Sequence, residues 1–171
     1  RFSDDAIRDW SRALYEAGYV GLTWPKEYGG GGKPYSYQAI FLEEVARAEA
    51  PQHLGVIGLG MAGPTIIARG TEAHKARYLQ RILSADEIWC QGFSEPESGS
   101  DLASLKTKAV PDDGGFRITG QKVWTTFAHE AKWCMLVART DPEAAKHKGL
   151  TYFLLDMEQE EIEVRPLRQI T

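Results

Sequence analysis

The spacing of apolar residues changes once along this chain, near residue 87, and no other feature constrains the fold as tightly. Before that point apolar side chains recur every three to four residues, the period of a helix with one buried face. After it they alternate, the period of a half-buried strand. No single element satisfies both periods, so the chain must combine a helical part with a sheet part.

In the first part, Ser3 is placed to cap a helix, with Asp4 and Asp5 at its positive end. Ile7, Trp10, Leu14 and Tyr15 fall on one face, and Gly18 stops it. A loop, "GYVGLTWPKEYGGGGKP", leads to a second helix predicted over 36–50, with Ile40, Phe41, Val45 and Ala48 inward and Pro51 as its stop. A short glycine-rich helix is predicted over 55–69. Thr71-Glu72 opens a fourth helix, with Ala73, Tyr78, Leu79 and Leu83 inward. From Ile88 onward, "IWCQGF", "LASLKTKAV", "GFRITGQKVWTT", "KWCMLVART", "GLTYFLLDM" and "IEVRPLRQI" read as strands. "PDDGG" reads as a turn, and Thr119-Gly120 as the join between two strands. The expected architecture is α+β: an all-α domain over residues 1–87, then a small antiparallel β-barrel or sandwich domain over 88–171. The chain begins at Arg1 and stops at "RQIT" without a turn signal, so it is expected to be a fragment.

Composition removes several classes of function. A net charge of −4 with no dense basic run argues against nucleic acid or an anionic membrane surface as the main partner. Cys90 and Cys134 are too few and too far apart for a disulfide framework or a CxxC metal site, and mildly favour a reducing compartment. His53, His74, His129 and His147 lack metal-ligand spacing, so no metal is expected. No apolar run approaches the roughly 18–20 residues of a membrane span, and no signal peptide is expected.

Gly58, Gly60 and Gly63 form a G-x-G-x-x-G pattern, which in a strand-turn-helix setting would bind a dinucleotide. The setting is wrong. The preceding strand would be very short and would contain Gly55. Pro64 would fall just past the first helical turn, where its ring collides with a carbonyl one turn back. These glycines are expected to permit close helix packing instead.

The stretch "GFSEPESGSD", residues 92–101, is dense in glycine, serine and acid. Small residues let backbone approach a ligand closely, and free N–H groups with serine hydroxyls suit a pyrophosphate or a carbonyl-rich ring edge. On composition alone a solvated loop between strands fits equally well. The order of residues is more informative. Phe93, Ser94, Glu95, Pro96, Gly99, Ser100 and Asp101 resemble the acyl-CoA dehydrogenase signature, an apolar residue followed by [ST]-E-P-x-x-G-S-D. "GYVGLTWPKEYGG" resembles that family's N-terminal loop, "ITGQKVWTT" its second flavin segment, and "KHKGLTYFLLDM" a strand on its CoA side.

The resemblance covers essentially the whole chain. It implies a helical domain followed by most of a β-barrel domain, with a C-terminal helical bundle absent. It implies FAD as cofactor and an acyl-CoA thioester as substrate, dehydrogenated across its α,β bond. Gln91, Phe93 and Ser94 would lie beside the isoalloxazine ring, their backbone groups and the Ser94 hydroxyl bonding its pyrimidine edge. Trp124 would pack on the ring; Thr125 and Thr126 would face it, with Thr126 near N5. Without the resemblance, Trp124 reads as an ordinary core aromatic.

Ser100 would lie near the pyrophosphate and the CoA chain, and His147 and Lys148 near the CoA nucleotide. The catalytic base would come from the absent bundle, so no catalytic residue is assigned, Glu95 included. The resemblance further implies an electron-transfer flavoprotein or similar acceptor, a homo- or hetero-oligomer, and a bacterial cytoplasmic rather than mitochondrial setting. It implies that these residues alone are inactive. An acyl-CoA oxidase, a flavin monooxygenase and a flavin-free partner subunit are the alternatives on this fold. Two departures stand out: Phe127-Ala128 replaces a small polar turn, and Glu97-Ser98 adds charge at the loop tip.

Overall fold

A computed structural model of the chain describes residues 2–167. It divides into two compact units, 1–88 and 89–171.

In the helical unit, α1 spans Asp4–Glu16 and α2 Tyr35–Arg47; α3 spans Gly63–Arg69 and α4 Glu72–Ser84. Ser3 caps α1 by accepting from the Ala6 N–H, and Thr71 caps α4 by accepting from the His74 N–H. Leu14 of α1 packs into a core with Ile66, Leu79, Ile82 and Leu83. Ser11 is buried beside Leu14, where its hydroxyl accepts from the Leu54 N–H at 2.9 Å, while the Trp10 indole donates to the Pro51 carbonyl at 2.8 Å. One face of α1 thus holds both apolar packing and the fastening of the 51–54 loop. The glycine-rich loop folds back on itself: the Gly31 N–H donates to the Gly21 carbonyl and the Lys33 N–H to the Leu22 carbonyl. That closure drives Leu22 and Trp24 into the core.

Two expectations change here. The helix predicted over 36–50 ends at Arg47, because Glu49 turns into the left-handed region before Pro51 is reached. Its apolar side chains do not form one inward stripe. Tyr35, Tyr37, Ile40 and Leu42 are exposed, and so is Ala48; no residue of α2 is buried. Apolar residues occur on several sides of this helix, so burying one face leaves the others in solvent. Phe41 is half-buried and stacks on Tyr19 with ring centroids 5.7 Å apart.

The glycine pattern lies within continuous helix over residues 56–69, with no strand before it. Gly58–Ala62 form a π turn, closed by the Gly63 N–H donating to the Gly58 carbonyl. The widened turn immediately precedes Pro64, which has no N–H to donate, and this relieves the collision expected of its ring. Gly63 sits against the Trp24 indole. A Cβ there would lie 2.0 Å from Cη2, so the glycine serves helix packing.

In the sheet unit, β1 spans Trp89–Gly92, β2 Lys108–Asp112 and β3 Gly115–Thr119. β4 spans Trp133–Arg139 and β5 Leu150–Asp156. β4 is the central strand. β5 pairs antiparallel along its whole length, Trp133 to Arg139 against Asp156 to Leu150. On the other edge β1 pairs with residues 133–136 and β2 with Arg139, both parallel. β2 and β3 form an antiparallel hairpin closed by Asp113-Gly114, both at positive φ, as a two-residue turn requires.

The sheet is therefore mixed rather than wholly antiparallel. The connection from β1 to β4 carries a loop and a hairpin, and a crossover that long permits parallel pairing. Period-two alternation is also incomplete in β4: Cys134, Met135, Leu136 and Ala138 are all buried, because the strand is covered on both faces. Two expected strands do not form. Residues after Thr119 leave the ladder instead of starting a new strand at Gly120, and 162–167 carry no strand. The remainder of "IEVRPLRQI" lies outside the described residues.

Candidate functional site

The loop over residues 92–101 is built around a buried acid. Glu95 closes a tight bridge with Ser98, each N–H donating to the other's carbonyl. Its carboxylate then accepts from the Lys106 N–H at 2.6 Å, the Thr107 N–H at 2.9 Å and the Lys122 ammonium at 2.9 Å. Burial alone would raise this carboxyl and is the largest single influence on it. The opposing bonds outweigh it and hold the group down at about 2. The Thr107 hydroxyl lies beside the carboxylate but makes no hydrogen bond of good geometry. We ascribe the effect to the two N–H groups and the ammonium. Ser98 is buried too; its hydroxyl donates to the Asp101 carbonyl and accepts from Ser104. The loop is thus a rigid turn pinned from inside. Glu97, at its exposed tip, is paired with Lys106, so the extra charge there is balanced locally.

The segment after β3 lies against this turn. Gly120 abuts Thr107 so closely that a Cβ would fall 2.2 Å from its hydroxyl oxygen. Lys122 then reaches into the protein. Its side chain is 11% exposed, and its ammonium donates to the Phe93 carbonyl at 2.9 Å as well as to Glu95. The Val123 N–H donates to the Ser94 carbonyl at 2.9 Å. Next comes Trp124 at φ +59°, with its side chain outward and 65% exposed. Left-handed backbone disfavours a bulky residue by about 1–2 kcal/mol. Phe127 is also left-handed, at φ +65°, and its carbonyl accepts from the Glu130 and Ala131 N–H groups. A second strand could not continue through these two residues. Thr125 is half-buried, with a buried hydroxyl oxygen that has no partner among the described residues.

These bonds bring together five of the residues singled out from the sequence. Phe93 and Ser94 are tied through Lys122 and Val123 to the turn bearing Trp124, Thr125 and Thr126. The Phe93 ring meets Tyr152 of β5 edge-on, with centroids 6.4 Å apart. Gln91 lies on β1 in register with Met135. Ser100, His147 and Lys148 are exposed and flank a second junction. There the Lys146 ammonium pairs with Asp101 at 2.6 Å, and the Arg139 guanidinium donates to the Ala103 carbonyl at 2.7 Å. The residue after Lys146 and the residue before Asp101 are thus drawn to one end of the sheet.

Sequence reasoning missed Lys122 and Lys146, while the resemblance gave Glu95 the role of turning the loop and not that of a base. Lys122 had a signal, since it is the lysine of the G-x-K-x-W pattern. Lys146 reads as an ordinary surface charge. Among the described residues no group of three or more His, Cys, Asp and Glu could hold a metal, and no helix is long and apolar enough to cross a membrane.

Residues 2–86 match the acyl-CoA dehydrogenase N-terminal domain, and residues 90–171 match the acyl-CoA dehydrogenase middle domain. The chain belongs to the acyl-CoA dehydrogenase family. It is 45% identical over 164 residues to acyl-CoA dehydrogenase IpdE1 of Mycobacterium tuberculosis, a match covering 96% of this chain and 43% of that protein. Two solved structures share the fold of this family member closely. The Tcur3481-Tcur3483 steroid ACAD superposes with a TM-score of 0.89 at 39% identity, covering 97% of this chain and 43% of that one. The ChsE4-ChsE5 complex from Mycobacterium tuberculosis superposes with a TM-score of 0.88 at 35% identity, covering 96% and 42%. The chain spans less than half the length of these relatives.

Proposed function

We propose that this chain forms one wall of the FAD and CoA sites of an acyl-CoA dehydrogenase. The observation that carries the reading is the turn at Trp124. The backbone holds this large aromatic in a strained conformation with its face in solvent, beside a Thr125 hydroxyl that is buried without a partner. Both residues are fastened by Lys122 and Val123 to the Phe93-Ser94 backbone. An exposed aromatic face, an unsatisfied hydroxyl and a rigid polar loop fit a flat heteroaromatic ring with polar edges.

FAD, when bound, supplies a two-electron acceptor for α,β-dehydrogenation of an acyl-CoA thioester. The chain's residues hold and orient. Gln91, Phe93 and Ser94 present backbone groups, and Ser94 its hydroxyl, to the pyrimidine edge. Trp124 would pack on the ring, and Thr125 and Thr126 would face it, Thr126 on the side of the hydride acceptor. Ser100, His147 and Lys148 meet the pyrophosphate and the CoA nucleotide, with Lys146 and Asp101 fixing the spacing of their loops. Fixed donors stabilise charge as it develops, and rigid positioning removes the entropic barrier to reaction. The catalytic base lies outside this chain, and an electron-transfer flavoprotein is the expected acceptor. The steroid ACAD relative makes a steroid-bearing acyl-CoA the first substrate to try. The mycobacterial relatives favour a bacterial cytoplasmic enzyme.

The test uses the intact polypeptide that carries these residues. Trp124→Ala should weaken FAD retention by about 1–3 kcal/mol through lost apolar contact, and Ser94→Ala by about 0.5–1.5 kcal/mol through one lost hydrogen bond. Flavin absorbance after gel filtration reads both. Unchanged occupancy in both variants would overturn the assignment of this face. A second reading, a flavin-free partner within a mixed oligomer, draws on the two-component names of both solved relatives. Flavin content of the purified protein separates the two.

A further inference from the structure

The geometry points to Lys122 as a positioning residue that tunes the flavin ring through the peptide between Phe93 and Ser94, an inference that rests on the ring lying against Ser94.

The Lys122 side chain is only 11% exposed, and an ammonium withdrawn this far from solvent must be matched to be tolerated. Its match is Glu95, at 2.9 Å, itself held by two backbone N–H groups. A buried pair of this kind is often replaced by apolar residues without loss of stability, so stability alone does not account for it. What apolar side chains could not do is donate to the Phe93 carbonyl, as the Lys122 ammonium does at 2.9 Å. Phe93 C=O and Ser94 N–H are the two ends of one peptide unit. A charge-assisted bond at the carbonyl draws electron density away from the nitrogen and makes the Ser94 N–H a stronger donor. The peptide's orientation is also fixed. The next carbonyl, that of Ser94, is held by the Val123 N–H, one residue from Lys122. Glu95 sets how much of the lysine's charge the peptide feels. Because the pair is nearly neutral at a distance, its action on the ring is directional and passes through that N–H.

Reduction places negative charge on the pyrimidine edge of a flavin, so a stronger donor there favours the reduced form. The two members of the pair therefore pull the flavin in opposite directions. Removing the ammonium should lower the midpoint potential. Neutralising its partner should raise it, because Lys122 then acts unopposed.

The experiment uses the intact polypeptide loaded with FAD. The variants are Glu95→Gln and the double variant Glu95→Gln with Lys122→Met, which avoids leaving a carboxylate buried alone. Potentials are measured by equilibration with a redox dye, with thermal midpoints alongside. The double variant should lose about tenfold of the protein's preference for reduced over oxidised flavin, a fall of about 30 mV for a two-electron couple. Glu95→Gln should shift the potential the other way. A double variant that folds and keeps the wild-type potential overturns the proposal, whatever its thermal midpoint does. If the double variant does not fold, Glu95→Gln decides alone, and a potential that stays put or falls overturns it. Wild-type protein that takes up no FAD overturns the flavin reading itself, and this inference with it.

Discussion

Among the described residues, the helical unit buries one polar side chain, Ser11, and the sheet unit buries three, Glu95, Ser98 and Thr107. Backbone strain divides in a similar way. Glu49 and Ala85 have positive φ because each follows the end of a helix, and Asp113 because it turns a hairpin. Phe127 opens a turn, its carbonyl accepting from Glu130 and Ala131, whereas Trp124 has no such local reason. The helical unit is thus held by periodic apolar packing with a polar fastening at one point. The sheet unit spends stability on buried polar groups and unfavourable backbone, and it does so within one cluster. Natural chains keep such departures where they position chemistry. The contrast supports the proposed site in the sheet unit.

The sharpest way to break this contrast is to remove the buried acid. Glu95→Ala leaves the Lys122 ammonium, 11% exposed, without a carboxylate partner, which should destabilise the sheet unit by about 3 kcal/mol. Methyl resonances of Leu136 should then report an earlier urea transition while those of Leu79 keep theirs. Simultaneous loss of both would mean that the two units are not energetically distinct. The matching change on the other side is Gly63→Ala, which drives a methyl group into the Trp24 indole. Overpacking there should cost about 3 kcal/mol, with the Leu79 methyls reporting it first.

Acid should separate the units without any mutation. Burial lowers His53 to about 4, from the ordinary 6.5. The unfolded chain therefore takes up a proton between those values while the folded one does not, and stability falls as pH drops from about 6.5 to 4. Solvent screening of the partly exposed ring limits the loss to about 1–2 kcal/mol. Glu95 titrates near 2, against 4.5 when unperturbed, so its contribution is intact above pH 4.5 and is lost only as pH falls from there towards 2. The helical unit should weaken first on acidification, read by urea midpoints at pH 7, 5 and 4. The reverse order would contradict both assignments. The smallest effect is expected at Thr107, whose buried hydroxyl oxygen lacks a partner. Thr107→Val should change stability by no more than about 1 kcal/mol, in either direction, in the same denaturation experiment.

Much of this was legible before the structure, for reasons that differ by region. α1 and α4 announce themselves by caps and one apolar stripe, and both form with those caps. α2 misleads because its apolar residues lie on several sides, so periodicity finds the helix without finding its buried face. Alternation locates β4 and β5 but carries no information on strand direction, so the parallel pairings were invisible. Trp124 and Phe127 end the ladder through backbone conformation, which side-chain pattern does not report. The candidate site residues came from family resemblance rather than from period or charge. The resemblance contained both Lys122 and Glu95 but not their pairing, because an ion pair withdrawn from solvent depends on segments that sequence does not bring together.

The parallel pairing of β1 with β4 also bears on how the molecule acquires its shape. Everything between those strands, namely the acid-centred turn, the hairpin and the Trp124 segment, hangs on a single large loop that closes when Trp89 to Gly92 meet Trp133 to Leu136. Closing a long loop before its contacts repay the lost chain entropy is slow. The hairpin and β4–β5 involve nearer neighbours and are free to form early. The site segments should therefore gain protection together, in the last kinetic phase of the sheet unit. Pulse-labelled amides of Glu95, Thr107 and Val123 should share one late rate, well behind those of β5.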